Sequence, residues 1–348
     1  MALPYMFAAV LVAISVWSSP LAAEPPSNPP ASPPGVRQAV DRAIGYLQTE
    51  SATWLKQRTC AACHHAGMPL WALGEAARQG YAVDGKFVSE TIESTLGSPQ
   101  KLISSKLVPG PNDPPDPRPM ARGVNMGLPF LAVAARSMSS LEPGQKQSLR
   151  WIADDIVKKQ QPDGSWEFFL SRPPVNESQA TDVAWILMAL QGEAGPDAPA
   201  ANRATLEKGT AWLAGAEPDN REAKVLKLLV AVRAGEPREA LRPRIDELVA
   251  LQRPDGGWSQ KADMTSDAFA TGQMLYVLAS AGLDAEKPEI KRGMDFLVAT
   301  QKADGSWPMA SRASPDGKPG GSAKLLTPIT CAASSWAAMG LAKLAPNH

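Results

Sequence analysis

The chain has 348 residues, with Lys plus Arg and Asp plus Glu both at 35 and a formal net charge of zero. A balanced charge supplies no basic stripe for nucleic acid and no field to hold anionic lipid, so neither is an expected partner. At this length the chain buries one large core or two ordinary ones.

The first residues read as an export signal. Phe7 to Trp17 is an apolar run of h-region length, and Leu21-Ala22-Ala23 offers a cleavage site before Glu24. The run is shorter than the roughly 20 residues a membrane span needs. Residues 1–23 are therefore expected to be a signal peptide, and the protein to be exported, periplasmic or secreted. The mature chain is expected to carry no transmembrane segment. Residues 24–35 are rich in proline, which makes an extended linker rather than part of a core.

Residues 36–348 read as one repeat domain in which two kinds of helix alternate. Amphipathic helices are expected near 37–50, 84–97, 143–160, 202–214, 238–252 and 286–301. In the third of these, Leu149, Ile152, Ala153, Ile156 and Val157 fall on one helical face. Helices apolar nearly all round are expected near 67–80, 122–138, 180–191, 222–233, 266–281 and 328–343; Val183 to Leu190 is one such run. A helix with no polar face is buried on every side. Buried helices inside amphipathic ones make a double wall, and strict alternation lets the last inner helix meet the first outer one. Val108 to Pro119 has too many prolines for a helix and reads as a surface loop.

Between the first outer and first inner helix stands Thr59-Cys60-Ala61-Ala62-Cys63-His64-His65. Cys-x-x-Cys-His is the attachment pattern of c-type haem. Two thiols add to the vinyl groups and the next histidine ligates iron. Cys60, Cys63 and His64 are thus candidate haem-binding residues, with His64 on the iron. Two other readings stand beside it. Cys60, Cys63, His65 and Cys331 make a Cys3His zinc set if the ring closes. Otherwise Cys60 and Cys63 form a disulfide or an inert turn.

The turns Gln161-Pro-Asp-Gly-Ser-Trp166, Gln252-Arg-Pro-Asp-Gly-Gly-Trp258 and Gln301-Lys-Ala-Asp-Gly-Ser-Trp307 are near copies. Two of them are spaced by about 50 residues and the first lies about two spacings upstream, the mark of a repeat architecture. Gly takes positive φ freely and Asp bonds its own backbone, so each is a tight turn. The Gln and Trp are expected to tie it to a neighbouring repeat.

Arg292-Gly-Met-Asp-Phe296, Gln301 and Gly305-Ser-Trp307 together resemble the QW repeat of squalene–hopene cyclases and the related prenyltransferase-like toroids. Lys208-Gly-Thr-Ala-Trp212 resembles its first half. The resemblance implies an all-α (α/α)6 toroid of alternating inner and outer helices. Class II cyclases of this kind protonate an alkene with the middle aspartate of Asp-x-Asp-Asp at the start of an inner helix. Here those starts read Gln179-Ala-Thr-Asp182 and Met264-Thr-Ser-Asp267, with Thr181 and Ser266 at the acid position. Asp182 and Asp267 are therefore expected to be helix caps, and no catalytic residue is assigned. The zinc ligands of protein prenyltransferases find no match.

The expected function is an exported squalene-cyclase-like toroid with covalent haem c. It serves electron transfer to a redox partner protein, or redox chemistry or binding of an apolar, isoprenoid-like ligand. The alternatives are a terpenoid cyclase-like enzyme on an isoprenoid substrate, or a haem-free structural or binding module.

Overall fold

In the computed structural model, which describes residues 34–57, 65–104, 122–169, 171–217, 220–312 and 329–347, helix follows helix with one isolated β-bridge, Arg172 to Asn176. Ser32–His348 form one unit, separate from Met1–Ala31. The expected signal peptide, most of the linker and the Val108–Pro119 loop lie outside the described residues.

Among the described residues, six outer helices alternate with six inner ones. The outer set is α1 (Pro34–Gln57), α3 (Gly85–Leu96), α6 (Pro143–Lys158), α8 (Ala200–Gly215), α10 (Arg238–Ala250) and α12 (Pro288–Thr300). The inner set is α2 (Gly67–Arg78), α5 (Gly127–Ala135), α7 (Gln179–Gln191), α9 (Arg221–Arg233), α11 (Ala268–Ser280) and α13 (Thr330–Leu344). A short helix, α4 (Pro99–Ser104), interrupts the alternation after α3. The inner helices pack in the order α2, α5, α7, α9, α11, α13 and back to α2, while α1 packs on both α12 and α13. The ring is closed, and the fold is the all-α (α/α)6 toroid. α1 runs past the expected end at residue 50 because Ser51 is still buried against the ring. α5 starts later than expected, after a turn in which Asn125 Oδ1 accepts from Gly127 N at 3.1 Å.

The Asp-Gly turns fasten the outer wall. Each indole N–H donates to a carbonyl at the end of the outer helix before it: Trp166 to Ile156, Trp258 to Leu248 and Trp307 to Leu297, at 2.8, 3.0 and 3.0 Å. A glutamine amide reaches the next outer helix. Gln252 donates to Glu289 O at 2.7 Å and Gln301 to Ala39 O at 2.8 Å. In the first copy this place belongs to Gln160, which donates to Thr205 O at 2.9 Å, and not to Gln161. The third copy therefore docks on α1 and closes the wall. Gly305 sits at φ +89° with its Cα against α1; an added Cβ would stand 2.2 Å from Arg42 O. Only glycine meets both demands.

Candidate functional site

Three inner helices start in the same way. Ser178 caps α7 through Thr181 N, Asn220 caps α9 through Ala223 N, and Asp267 caps α11 through Ala270 N. Asn220 also donates to Ser178 Oγ at 2.9 Å, which ties the starts of α7 and α9 together. Asp267 is thus the expected cap, and Gln260 Nε2 donates to its other oxygen at 3.1 Å. Asp182 is not a cap, because Ser178 already holds that position. It lies in the first turn of α7, and Glu222 lies in the first turn of α9.

Both carboxyls are buried. Burial pushes the Asp182 carboxyl well above the usual carboxylate range, against a smaller opposing effect of the Asn176 side chain. Burial does the same to Glu222, helped by the charge of Glu177, against a contact from Gln273 Nε2 at 3.5 Å. In both cases burial favours the protonated form. Asp182 Oδ1 and Glu222 Oε2 have no hydrogen-bond partner among the described residues. Glu177, nearby, is a different kind of group: Arg312 pairs with it, and Lys261 Nζ is 3.5 Å away.

The middle of the ring is aromatic. Trp71 meets Trp185, Tyr276 and Trp336 edge-on at centroid distances of 5.6, 5.4 and 5.2 Å. Trp185 lies 6.1 Å from Trp336. α7 and α13 stand opposite one another in the ring, so these two indoles meet across the lumen. Both are fully buried, and neither indole N–H has an acceptor among the described residues. A buried donor without a partner costs about 1–3 kcal/mol. Two such donors and two half-paired acids in one lumen form a group that native packing ordinarily avoids.

Little free space remains. A cavity of about 10 Å³ lies beside Glu222, bounded by Glu177, Arg221, Gln273 and Phe269; that is room for about one water. A strap crosses this mouth. Arg312, on the segment after α12, donates from its backbone N to Pro173 O at 2.9 Å, bonds Gln260 Oε1 at 2.7 Å and pairs with Glu177. Ser311 Oγ adds a bond to Pro173 O at 2.7 Å. The approach to α13 is thereby joined to the approach to α7, over the starts of α9 and α11.

The predicted haem residues Cys60, Cys63 and His64 lie outside the described residues. Of the zinc set, His65 and Cys331 are described. His65 is buried with its ring stacked on Trp54 at 3.7 Å, and burial lowers its pKa to about 4. Cys331 is buried near the start of α13; burial and the charge of Glu50 push its thiol up to about 12, against a bond from Tyr46. As expected, α13 neighbours α2. Among the described residues no helix is long and apolar enough to cross a membrane.

The sequence reading missed Glu222 and the unmet indoles. Glu222 stands two residues after a cap, where an acid ordinarily serves the helix dipole. Only the packing of α9 beside α11, which brings Gln273 and Phe269 to it, shows that it is enclosed.

Residues 218–347 match the squalene-hopene cyclase C-terminal domain. Comparison with curated proteins gives no significant match. Among solved structures, the type II terpene cyclase MstE from Scytonema, in complex with geranylgeranyl dihydroxybenzoate, is similar with a TM-score of 0.53 at 14% identity, over 90% of this chain and 98% of that one. A protein from Actinoplanes aligns with a TM-score of 0.55 at 14% identity, over 89% and 99%. A glycosidase in complex with glucose aligns with a TM-score of 0.52 at 12% identity, over 88% and 98%. At these identities the structural likeness establishes a shared toroid fold.

Proposed function

We propose that the protein is a terpenoid cyclase-like enzyme that activates an isoprenoid-like molecule with a proton from the Asp182–Glu222 pair, the packed rings of the lumen parting to admit it. The observation that carries this reading is two buried carboxyls at the starts of neighbouring inner helices, both pushed towards the protonated form by burial, beside an aromatic ring centre. An acid strong enough in context to protonate an alkene must be a carboxylic acid kept neutral until substrate arrives. Asp182 supplies this although Thr181 holds the position where such an acid was sought.

The step balances without a co-reactant. The carboxyl O–H breaks, a C–H bond forms at one alkene carbon, and the other carbon becomes cationic. Ring closure moves the positive charge along the chain. Loss of a proton from an adjacent C–H restores an alkene, and the carboxylate is reprotonated from solvent. The faces of Trp71, Trp185 and Trp336 stabilise a passing cation through their ring quadrupoles. The dry surroundings keep water from quenching it. The cyclase domain match over residues 218–347 and the substrate named for MstE support the same substrate class.

The test is incubation of purified protein with linear C15 to C30 isoprenoids, followed by mass spectrometry of extracts. Cyclic isomers are expected, and Asp182→Asn is expected to lower their formation about 100-fold or more. Linear substrates returned unchanged by the wild type would end this reading.

A second reading, compatible with the first, rests on the Cys60-x-x-Cys63-His64 motif: an exported protein carrying haem c, open to electron exchange with a redox partner. Expression with a cytochrome c maturation system and a haem stain on a denaturing gel tests it. A stained band lost in Cys63→Ala supports it. An unstained wild type rejects it and turns attention to zinc content, compared between wild type and Cys331→Ala.

A further inference from the structure

The mouth above Glu222 holds a charge pair that takes no part in the proton transfer itself. Glu177, just before α7, borders the same cavity of about 10 Å³ as Glu222. Its carboxylate pairs with Arg312 and has Lys261 Nζ at 3.5 Å. Arg312 reaches it from the strap, which has bonds of its own: Arg312 N to Pro173 O at 2.9 Å, and Ser311 Oγ to the same oxygen at 2.7 Å. Neither bond involves the guanidinium, whose Nε is given to Gln260 Oε1 at 2.7 Å. The other charged groups here are engaged elsewhere. Arg221 borders the cavity but donates to Ser259 O and Oγ at 2.9 and 2.6 Å. Asp267, on the α11 side, accepts from Ala270 N and Gln260 Nε2. When Glu222 gives its proton to an alkene carbon, the carboxylate left behind faces Glu177. A like charge disfavours that carboxylate and a nearby cation favours it. Beneath the larger effect of burial, Glu177 and Asp182 tighten the hold of Glu222 on its proton and Arg312 loosens it. The apolar walls of the cavity include Val225 of α9 and Phe269 and Met274 of α11, none of them on the strap. Loss of the guanidinium therefore changes the charge beside Glu222 more than its exposure.

We propose that Arg312 is a positioning residue for the acid: by pairing with Glu177 it lets Glu222 release its proton while the strap is seated, and this effect is lost when the strap lifts. The inference rests on the proposed function and names Glu222 as the carboxyl whose strength follows the strap. By linkage, a Glu222 carboxylate holds the strap down as firmly as the seated strap favours the carboxylate. Proton release and closure then go together, which keeps water from the cation formed in the ring.

The experiment is a 13C NMR titration of the full chain labelled at the glutamate carboxyl carbon, with the Glu222 resonance assigned by its loss in Glu222→Gln. Glu222 is expected to titrate above the ordinary glutamate range. Arg312→Gln is expected to raise its midpoint by about one pH unit, and Arg312→Lys, which keeps the charge, to stay near the wild type. Glu177→Gln is expected to lower it, and the double variant Arg312→Gln/Glu177→Gln to lie between the two single ones. A strap that merely covers the mouth gives the opposite sign, since its loosening lets water reach Glu222 and lowers the midpoint. An unchanged or lowered midpoint in Arg312→Gln, or a wild-type Glu222 that stays protonated wherever the chain is folded, would overturn the proposal. If Arg312→Gln does not fold, Glu177→Gln carries the test, and an unchanged midpoint there overturns it. The titration needs no substrate. Midpoints that move as expected while no isoprenoid is converted keep this coupling and end the cyclase reading. Conversion by a chain whose Glu222 ignores Arg312 keeps the cyclase reading and ends the coupling.

Discussion

Burial works against the charged form of Asp182 and Glu222, and that fixes how they act on stability. Both have folded-state pKa values raised above the ordinary range by burial. The unfolded chain ionises them near pH 4, so above that pH the folded state binds more protons than the unfolded. Their contribution is fully present below about pH 4 and is lost as pH rises towards the raised values. Asp182→Asn and Glu222→Gln are therefore expected to raise the melting temperature at pH 8, with the gain shrinking as pH falls to 4. A gain that does not vary with pH would show that the fold does not raise the two carboxyls. The tryptophans of the turns act by packing. Trp258 is fully buried and its indole bonds Leu248 O at 3.0 Å, so Trp258→Ala is expected to cost about 3–5 kcal/mol in denaturant unfolding. The sequence separates these two cases only in part. Trp258 declares itself by recurrence. Asp182 looks like a cap because Asp is a good one, and nothing local reveals that Ser178 has taken the position. Glu222 is hidden altogether, since its enclosure depends on a partner helix.

At the scale of elements, hydrophobic period carries most of the information. α6 shows why: Leu149, Ile152, Ala153 and Ile156 are buried on one face, and that stripe is plain in the sequence. Helix starts are less legible where a turn precedes them, as at Asn125 before α5. α4 was not legible, being too short to show a period. The Asp-Gly turn is the element that joins local to distant structure, because its glutamine and its glycine both address the next outer helix. Gly305→Ala tests this. The residue holds φ +89° and the new methyl would lie 2.2 Å from Arg42 O, so a loss of about 1–3 kcal/mol or more is expected. Gly45, an exposed-face helix position with nothing within 4 Å of an added Cβ, is the control. There, Gly45→Ala is expected to be neutral or to stabilise by up to about 1 kcal/mol.

For the whole molecule, the strap and the closed wall decide how the lumen meets its surroundings. Arg312 joins Pro173, Gln260 and Glu177 above the buried acids. Arg312→Gln is expected to speed amide hydrogen exchange in residues 171–178 at least several-fold while leaving α6 protected; uniform exchange would mean that the strap does not hold the mouth. The ring itself was legible from the alternation of helix types, whereas the strap was not, because a single arginine in a loop has no pattern. Closure also bears on how the chain reaches this state. Gln301 bonds Ala39 across 262 positions, and Tyr81 bonds Ala345 across 264. α13, made after every other helix of the ring, packs against α1, α2 and α11. Until it leaves the ribosome, the faces of α2 and α11 that it covers have no partner. Contacts this distant in sequence give the ring a high contact order, which slows folding. A nascent chain still lacking α13 would leave those apolar faces open to water, the stage at which a chaperone would engage it.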